Sequence, residues 1–255
     1  MIEIVGLSKT YGDKRAVSDL TLSVEPGTIF GFVGPNGAGK TTTLKMLAGL
    51  LRPTSGNARI CGVDVVADPI RVKEILGYLP DNPFLYDYLT ITEFLTFVGD
   101  VYKIPESRIR EKGEEYLRLF DLTNQAGHHM AELSFGMKKK AALTALLVRE
   151  PRVLLLDEPT SSLDPKAVKT LRDLLLKMAS EGTTVFFSTH ILEVAQRISH
   201  TVGIIAGGKL IASGTMDELK ARVHADNRDL EGIFLSLTEN DQARIDGESI
   251  DISTE

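Results

Sequence analysis

The chain has 255 residues and a mass of 27.9 kDa, with 43% hydrophobic and 25% charged residues. This is the make-up of one large or two small globular domains, which excludes a disordered or collagenous chain. No apolar run approaches the roughly 20 residues of a spanning helix, and the single Cys61 excludes an internal disulfide and suits a reducing compartment. A net charge of −6 and a pI of about 5.5 disfavour broad nucleic-acid binding.

Met1-Ile2-Glu3-Ile4 reads without the basic and apolar regions of a signal peptide. Ile2, Ile4 and Leu7 alternate loosely with polar residues. Val17 to Val24 alternates again before the turn Glu25-Pro26-Gly27, and both stretches predict strands. Thr28 to Val33 is a short apolar run, predicting a buried strand. A glycine-rich loop follows, and Lys40 to Leu47 predicts a helix ending near Gly49. Pro53-Thr54-Ser55-Gly56 reads as a turn and Ile75 to Leu79 as a strand.

From about Asp81 to Glu150 the apolar spacing lengthens to three and four, as at Leu117, Phe120 and Leu122, or Leu143, Leu146 and Leu147. That predicts a mostly helical insert. Arg152 to Leu156 predicts a buried strand, and Pro165 to Ala179 a helix capped by Asp164 with Pro165 at its first position. Thr183 to Ser188 predicts a strand and Ile191 to Ile198 a helix. Val202 to Ile205 and Leu210 to Ala212 form a hairpin turning at Gly207-Gly208. Strands alternating with helices imply an α/β fold with a mostly parallel sheet, to which the first strands and the hairpin add antiparallel pieces. Between Glu239 and Glu255 stand six acidic residues and one basic residue, Arg244, the composition of a solvated, mobile end.

Gly34-Pro35-Asn36-Gly37-Ala38-Gly39-Lys40-Thr41, with Thr42 beside it, fits G-x-x-x-x-G-K-[ST] between a strand and a helix. Glycines let successive N–H groups wrap a phosphate, and the helix N-terminus adds partial positive charge. Lys40 then reaches the β- and γ-phosphates and Thr41 offers a hydroxyl to Mg²⁺. The apolar run Val153 to Leu156 ends in Asp157-Glu158. At the C-terminal end of a parallel strand, Asp157 is placed to hold Mg²⁺ and Glu158 to polarise the attacking water. His190 follows another apolar strand and is a candidate γ-phosphate contact. These residues specify a P-loop ATPase or GTPase and no more.

The order of further motifs narrows this. Leu133-Ser134-Phe135-Gly136-Met137, then Asp157-Glu158, then Ser161-Ser162-Leu163-Asp164, then His190 follow the phosphate loop. Over about residues 1 to 220 the chain resembles the ATP-binding subunits of ABC transporters. Met137 and the segment Leu230 to Thr238 resemble the ABC-2 type exporter branch, which handles drugs, antibiotics, peptides or ions. The resemblance implies an α/β P-loop NTPase core with antiparallel β pieces and an inserted α-helical subdomain. It implies an ATPase domain over residues 1–220, its core in 1–80 and 151–220 and its helical subdomain at about 81–150, followed by an extension over 221–255.

The resemblance also implies roles. Tyr11 matches the aromatic that stacks on adenine. Asp81 stands where the family usually has a Gln touching Mg²⁺ and water. Ser134 and Gly136 match the signature that closes on ATP held by a second subunit, and Asp164 matches the loop that couples the two sites. Phe135 replaces a small or polar residue, and Ser162 stands where Gly or Ala is usual. Lys138-Lys139-Lys140 reads as a solvated basic face of the next helix. The implied cofactors are ATP and Mg²⁺. The implied partners are a transmembrane permease subunit and a second copy or a related ATPase subunit, with no nucleic acid, at the inner face of the cell membrane. Asn82 to Ile104, rich in aromatics, holds the docking region, with Phe84, Leu85 and Tyr86 as its surface and the rest partly core. The alternatives are a soluble assembly or regulatory ATPase of the same superfamily and, on the departures at Phe135 and Asp81, a partner that binds ATP but barely hydrolyses it.

Overall fold

The computed structural model describes residues 1–223 and 229–238. The acidic stretch 239–255 lies outside the described residues. Two sheets form the frame. Strands β1 (Ile2–Tyr11), β2 (Lys14–Val24), β4 (Ser55–Ile60) and β5 (Val63–Asp64) make an antiparallel sheet in the order β2-β1-β4-β5. The second sheet holds β3 (Ile29–Val33), β6 (Leu76–Leu79), β7 (Val153–Asp157), β8 (Thr184–Thr189), β9 (Thr201–Ala206) and β10 (Lys209–Gly214). Their order is β10-β9-β3-β8-β7-β6. All its pairings are parallel except the edge hairpin β9–β10, where Gly207 and Gly208 both take positive φ, as a two-residue hairpin turn requires.

The six-stranded sheet is buried on both faces, which is why its central strands read as unbroken apolar runs. Along β7, Val153 and Leu155 join Phe30, Phe32 and Phe186 in a core shared with the antiparallel sheet and α1 (Lys40–Leu47). Leu154 and Leu156 face the other way, with Ile29, Val33, Val185 and Phe187, into a core closed by helices. Those helices include α3 (Ile91–Tyr102), α4 (Glu106–Leu119), α5 (Phe135–Leu147), α6 (Pro165–Ser180) and α7 (Leu192–Ile198). From Ala141 to Leu147 every residue of α5 is buried, so its last two turns carry no polar stripe.

The fold departs from the sequence reading at β4, at β5, and at Ile75, which ends a helix instead of opening a strand. Ser55-Gly56 opens strand β4 instead of closing a turn, because β4 pairs with β1. Helices α2 (Pro69–Ile75) and α8 (Met216–Arg222) are additions, capped by Asp68 and by a Thr215–Glu218 capping box. Beyond them residues 230–238 are helical. Leu230 and Ile233 are fully buried in the helical core, and the Leu230 N–H donates to Gln196 Oε1. This part of the extension therefore packs on the domain.

Candidate active site

Parallel register brings the ends of three strands to one level. Val33 pairs with Thr189, and Asp157 with Ser188. The loop after β3, the carboxylates after β7 and the histidine after β8 therefore converge beyond the C-terminal edge of the sheet, where such sheets hold ligands.

The loop 34–39 is wedged between neighbouring backbones. A Cβ on Gly34 would lie 2.2 Å from the Ile205 carbonyl oxygen, and one on Gly39 2.5 Å from that of Ala16. Gly39 also takes φ 107° at the N-cap of α1, a conformation that favours glycine. Pro35 and Ala38 serve the loop's shape, since the Ala38 N–H donates to the Pro35 carbonyl and the Ala38 methyl is buried in the core. The amides at the start of α1 have no intrahelical acceptor.

Lys40 is buried, and its Nζ donates to the carbonyls of Gly34 at 2.7 Å and Pro35 at 3.1 Å. It also lies 3.7 Å from Glu158 Oε1. Burial pulls the ammonium's pKa below the ordinary lysine value, against the opposing pull of Glu158 and Asp157. Around it opens a cleft of 330 Å³ lined by Tyr11, Lys14, Ala16, Asn36, Gly37, Gly39, Thr41, Thr42, Asp81 and Glu158. Tyr11 is half-exposed at the rim, with Lys9 Nζ 5.2 Å from its ring.

Asp157 is 1% exposed, and its Oδ1 accepts from Ser188 Oγ. The same hydroxyl lies 3.3 Å from the Glu158 N–H, which donates to the Ser188 carbonyl at 3.1 Å. Ser188 thus holds both acids. Sequence reasoning passed it over because a serine at a strand end carries no pattern of its own. Glu158 takes φ 46°, and its carboxylate has partners different from those of Asp157. Its Oε1 is 3.0 Å from His190 Nδ1, and its Oε2 is buried without a hydrogen-bond partner.

These features fit a nucleotide and its ion. A buried, unsatisfied carboxylate oxygen beside a lysine calls for a water or another polar group. Thr41 and Asp157 supply hard oxygen donors of the kind Mg²⁺ takes. Asp81 lines the same cleft, but its Oδ1 accepts from Ser161 Oγ at 2.7 Å and from Lys139 Nζ at 3.2 Å.

Ser134 and Gly136 do not line this cleft. Ser134 is exposed and caps α5 by accepting from the Met137 N–H, while a Cβ on Gly136 would meet the Ser162 carbonyl oxygen at 2.6 Å. Asp164 caps α6 through the Ala167 N–H. The three lysines after the signature are not a solvated face. Lys138 pairs with Asp87, Lys139 with Asp81 and Lys140 with Asp164, and Lys139 is wholly buried. Each lysine faces a different loop, which a run of like residues cannot reveal.

In the segment 82–104, Phe84 and Tyr88 are almost fully exposed and Tyr86 more than half, whereas Leu85 is partly buried and Phe94 belongs to the core. Tyr88 thus joins the surface in place of Leu85. Among the described residues no helix is long and apolar enough to cross a membrane.

The ABC transporter family model matches residues 17–161. A daunorubicin resistance ATP-binding protein of Streptomyces coeruleorubidus is 38% identical over 229 residues, covering 90% of this chain and 72% of its own length. A protein of Escherichia coli named as a probable multidrug ABC transporter ATP-binding protein is also 38% identical, over 93% of this chain, and the chain spans 41% of its length. A solved ATP-binding subunit of an ABC transporter superposes with a TM-score of 0.89 at 30% identity, covering 93% of this chain and 99% of that one. With a phosphate loop, two strand-end acids and a signature serine arranged as above, the chain belongs to the ABC transporter family, as an ATP-binding subunit.

Proposed function

We propose that the chain hydrolyses ATP to drive export through a separate transmembrane permease subunit, at the inner face of the cell membrane. The observation that carries this reading is the Glu158 carboxylate. It is buried beside Lys40 and His190, with one oxygen engaged and the other buried without a hydrogen-bond partner. Lys40 releases its loop carbonyls to hold the β- and γ-phosphates, while the amides at the start of α1 face the same negative charge. Tyr11 covers the base. Thr41 and Asp157 would hold Mg²⁺, which when bound would neutralise charge developing on the phosphate oxygens, and Asp81 lines the same cleft. Glu158 accepts a proton from the attacking water as the new P–O bond forms and the bond to ADP breaks. His190 steadies the carboxylate and the γ-phosphate.

Ser134 and Gly136, set away from the chain's own cleft, serve the cleft of a second copy or a related subunit in a head-to-tail pair. The γ-phosphate binds the two through charge-assisted hydrogen bonds, and its loss lets them part. The exposed rings of Phe84, Tyr86 and Tyr88 pass that motion to the permease. The direction of transport follows the relatives named for daunorubicin resistance and multidrug transport.

The test is the solution mass of Glu158→Gln with and without ATP and Mg²⁺, beside its turnover. We expect turnover to fall about 100-fold or more, and the mass to double only with ATP and Mg²⁺. Full turnover in this variant would remove Glu158 from the chemistry. A monomer that binds ATP without pairing would assign completion of the site to a different chain.

A further inference from the structure

Lys139 is wholly buried in the first turns of α5, where burial pulls its pKa below the ordinary lysine value against the opposing pull of Asp81. Its Nζ donates to the main-chain carbonyl of Glu158 at 2.6 Å, to Ser161 Oγ, and to Asp81 Oδ1 at 3.2 Å. These three bonds use all three N–H groups of the ammonium. Ser161 closes the ring by donating to the same Asp81 oxygen at 2.7 Å. Lys138 and Lys140, on either side, are only partly buried and make single pairs with exposed acids. Burying an ammonium is costly unless it is fully paired, and well-packed apolar residues often replace such groups without loss. Here one of the partners is the main-chain carbonyl of Glu158, which lines the cleft.

Glu158 sits at φ 46°, in the left-handed region that side chains adopt only at a cost. Hydrogen bonds on both of its peptides hold it there. Its N–H donates to the Ser188 carbonyl, and its own carbonyl accepts from Lys139 Nζ at 2.6 Å and from the Ser161 N–H at 3.1 Å. Rotation of either peptide would swing the carboxylate away from Lys40 and His190. We propose that Lys139 is a positioning residue for hydrolysis: its ammonium clamps the Glu158 main chain to Asp81 and Ser161 and so aims the Glu158 carboxylate into the cleft. This rests on Glu158 being the group that activates water.

The test is a double-mutant cycle on the full chain with Lys139→Met, which keeps an unbranched side chain of similar length and removes the charge, and Glu158→Gln. Turnover is measured beside the affinity for a fluorescent ATP analogue. We expect Lys139→Met to lower kcat about tenfold or more with affinity changed less than about twofold. In the Glu158→Gln background the same substitution adds less than about twofold, because Lys139 acts through that carboxylate. An equal loss in both backgrounds, a loss shared with nucleotide affinity, or a kcat within about twofold of the parent would overturn the proposal. Full turnover by Glu158→Gln alone would strike the proposed function itself, and is read before Lys139 is touched. Should the methionine variant fail to fold, as judged by thermal unfolding, Lys139→Gln in the same cycle is judged by the same results.

Discussion

His190 Nδ1 lies 3.0 Å from Glu158 Oε1, while the second oxygen of that carboxylate is buried with no hydrogen-bond partner. The histidine therefore engages one oxygen and leaves the other unpaired. Removing the ring with His190→Ala should lower kcat about 100-fold, within the span of positioned acid–base groups, with KM changed only a few-fold. Steady-state kinetics decide the matter. A variant that loses KM and keeps kcat would place His190 in ground-state binding of the nucleotide.

Gly136 makes a different demand, set by close approach. A Cβ there would lie 2.6 Å from the Ser162 carbonyl oxygen, and Ser162 already occupies left-handed backbone at φ 62°. The loop has little room to retreat. Gly136→Ala should push the first turn of α5 away from it, at a cost of about 1–3 kcal/mol. For a chain of this size each kcal/mol lowers the melting midpoint by about 2–4 °C. An unchanged midpoint in calorimetry would show that the loop yields freely.

How much of this was readable beforehand depends on whether the signal is local. The strand β3, the loop 34–39 and the helix α1 lie in one continuous stretch, so apolar run, glycines and lysine declare themselves together. Strand β7, ending at Asp157, and Glu158 directly after it are legible in the same way. Strand β4 does not, because Ser55-Gly56-Asn57 carries turn residues and becomes a strand only through its pairing with β1. Lys139 fails for a similar reason. Nothing in three successive lysines says which one is buried, and its partners Asp81, Glu158 and Ser161 lie far along the chain. Ser188, which holds Asp157 and the Glu158 N–H, becomes visible only when β7 and β8 lie in register.

The aromatic layer under the site gives a stability prediction. Phe186 is fully buried at the centre of the six-stranded sheet, with ring centroids 5.0 Å from Phe30 and 5.3 Å from Phe32. β-strands on both sides limit collapse of any cavity. Phe186→Ala should cost about 3–5 kcal/mol, read as a lower denaturant midpoint with an unchanged slope. A loss below about 1 kcal/mol would mean that Phe30 and Phe32 refill the space.

Asp164 offers a test in pH. The Lys140 ammonium, with help from the Ala167 N–H, holds its carboxyl at about 2, below the ordinary carboxylate range. Its pKa is depressed in the folded chain, so the unfolded chain binds more protons between about pH 4 and pH 2. The stabilisation is therefore complete above about pH 4 and is lost as pH falls towards 2. The Asp164 side chain is half-exposed, which limits the contribution to about 1 kcal/mol or less. Asp164→Asn keeps a good N-cap and removes only the charge, so it isolates the ion pair. Urea midpoints of parent and variant should differ at pH 5, converge by about pH 2, and draw together at 1 M salt. A gap that persists at low pH, or that ignores salt, would assign the difference to the cap and leave Lys140 without a part in it.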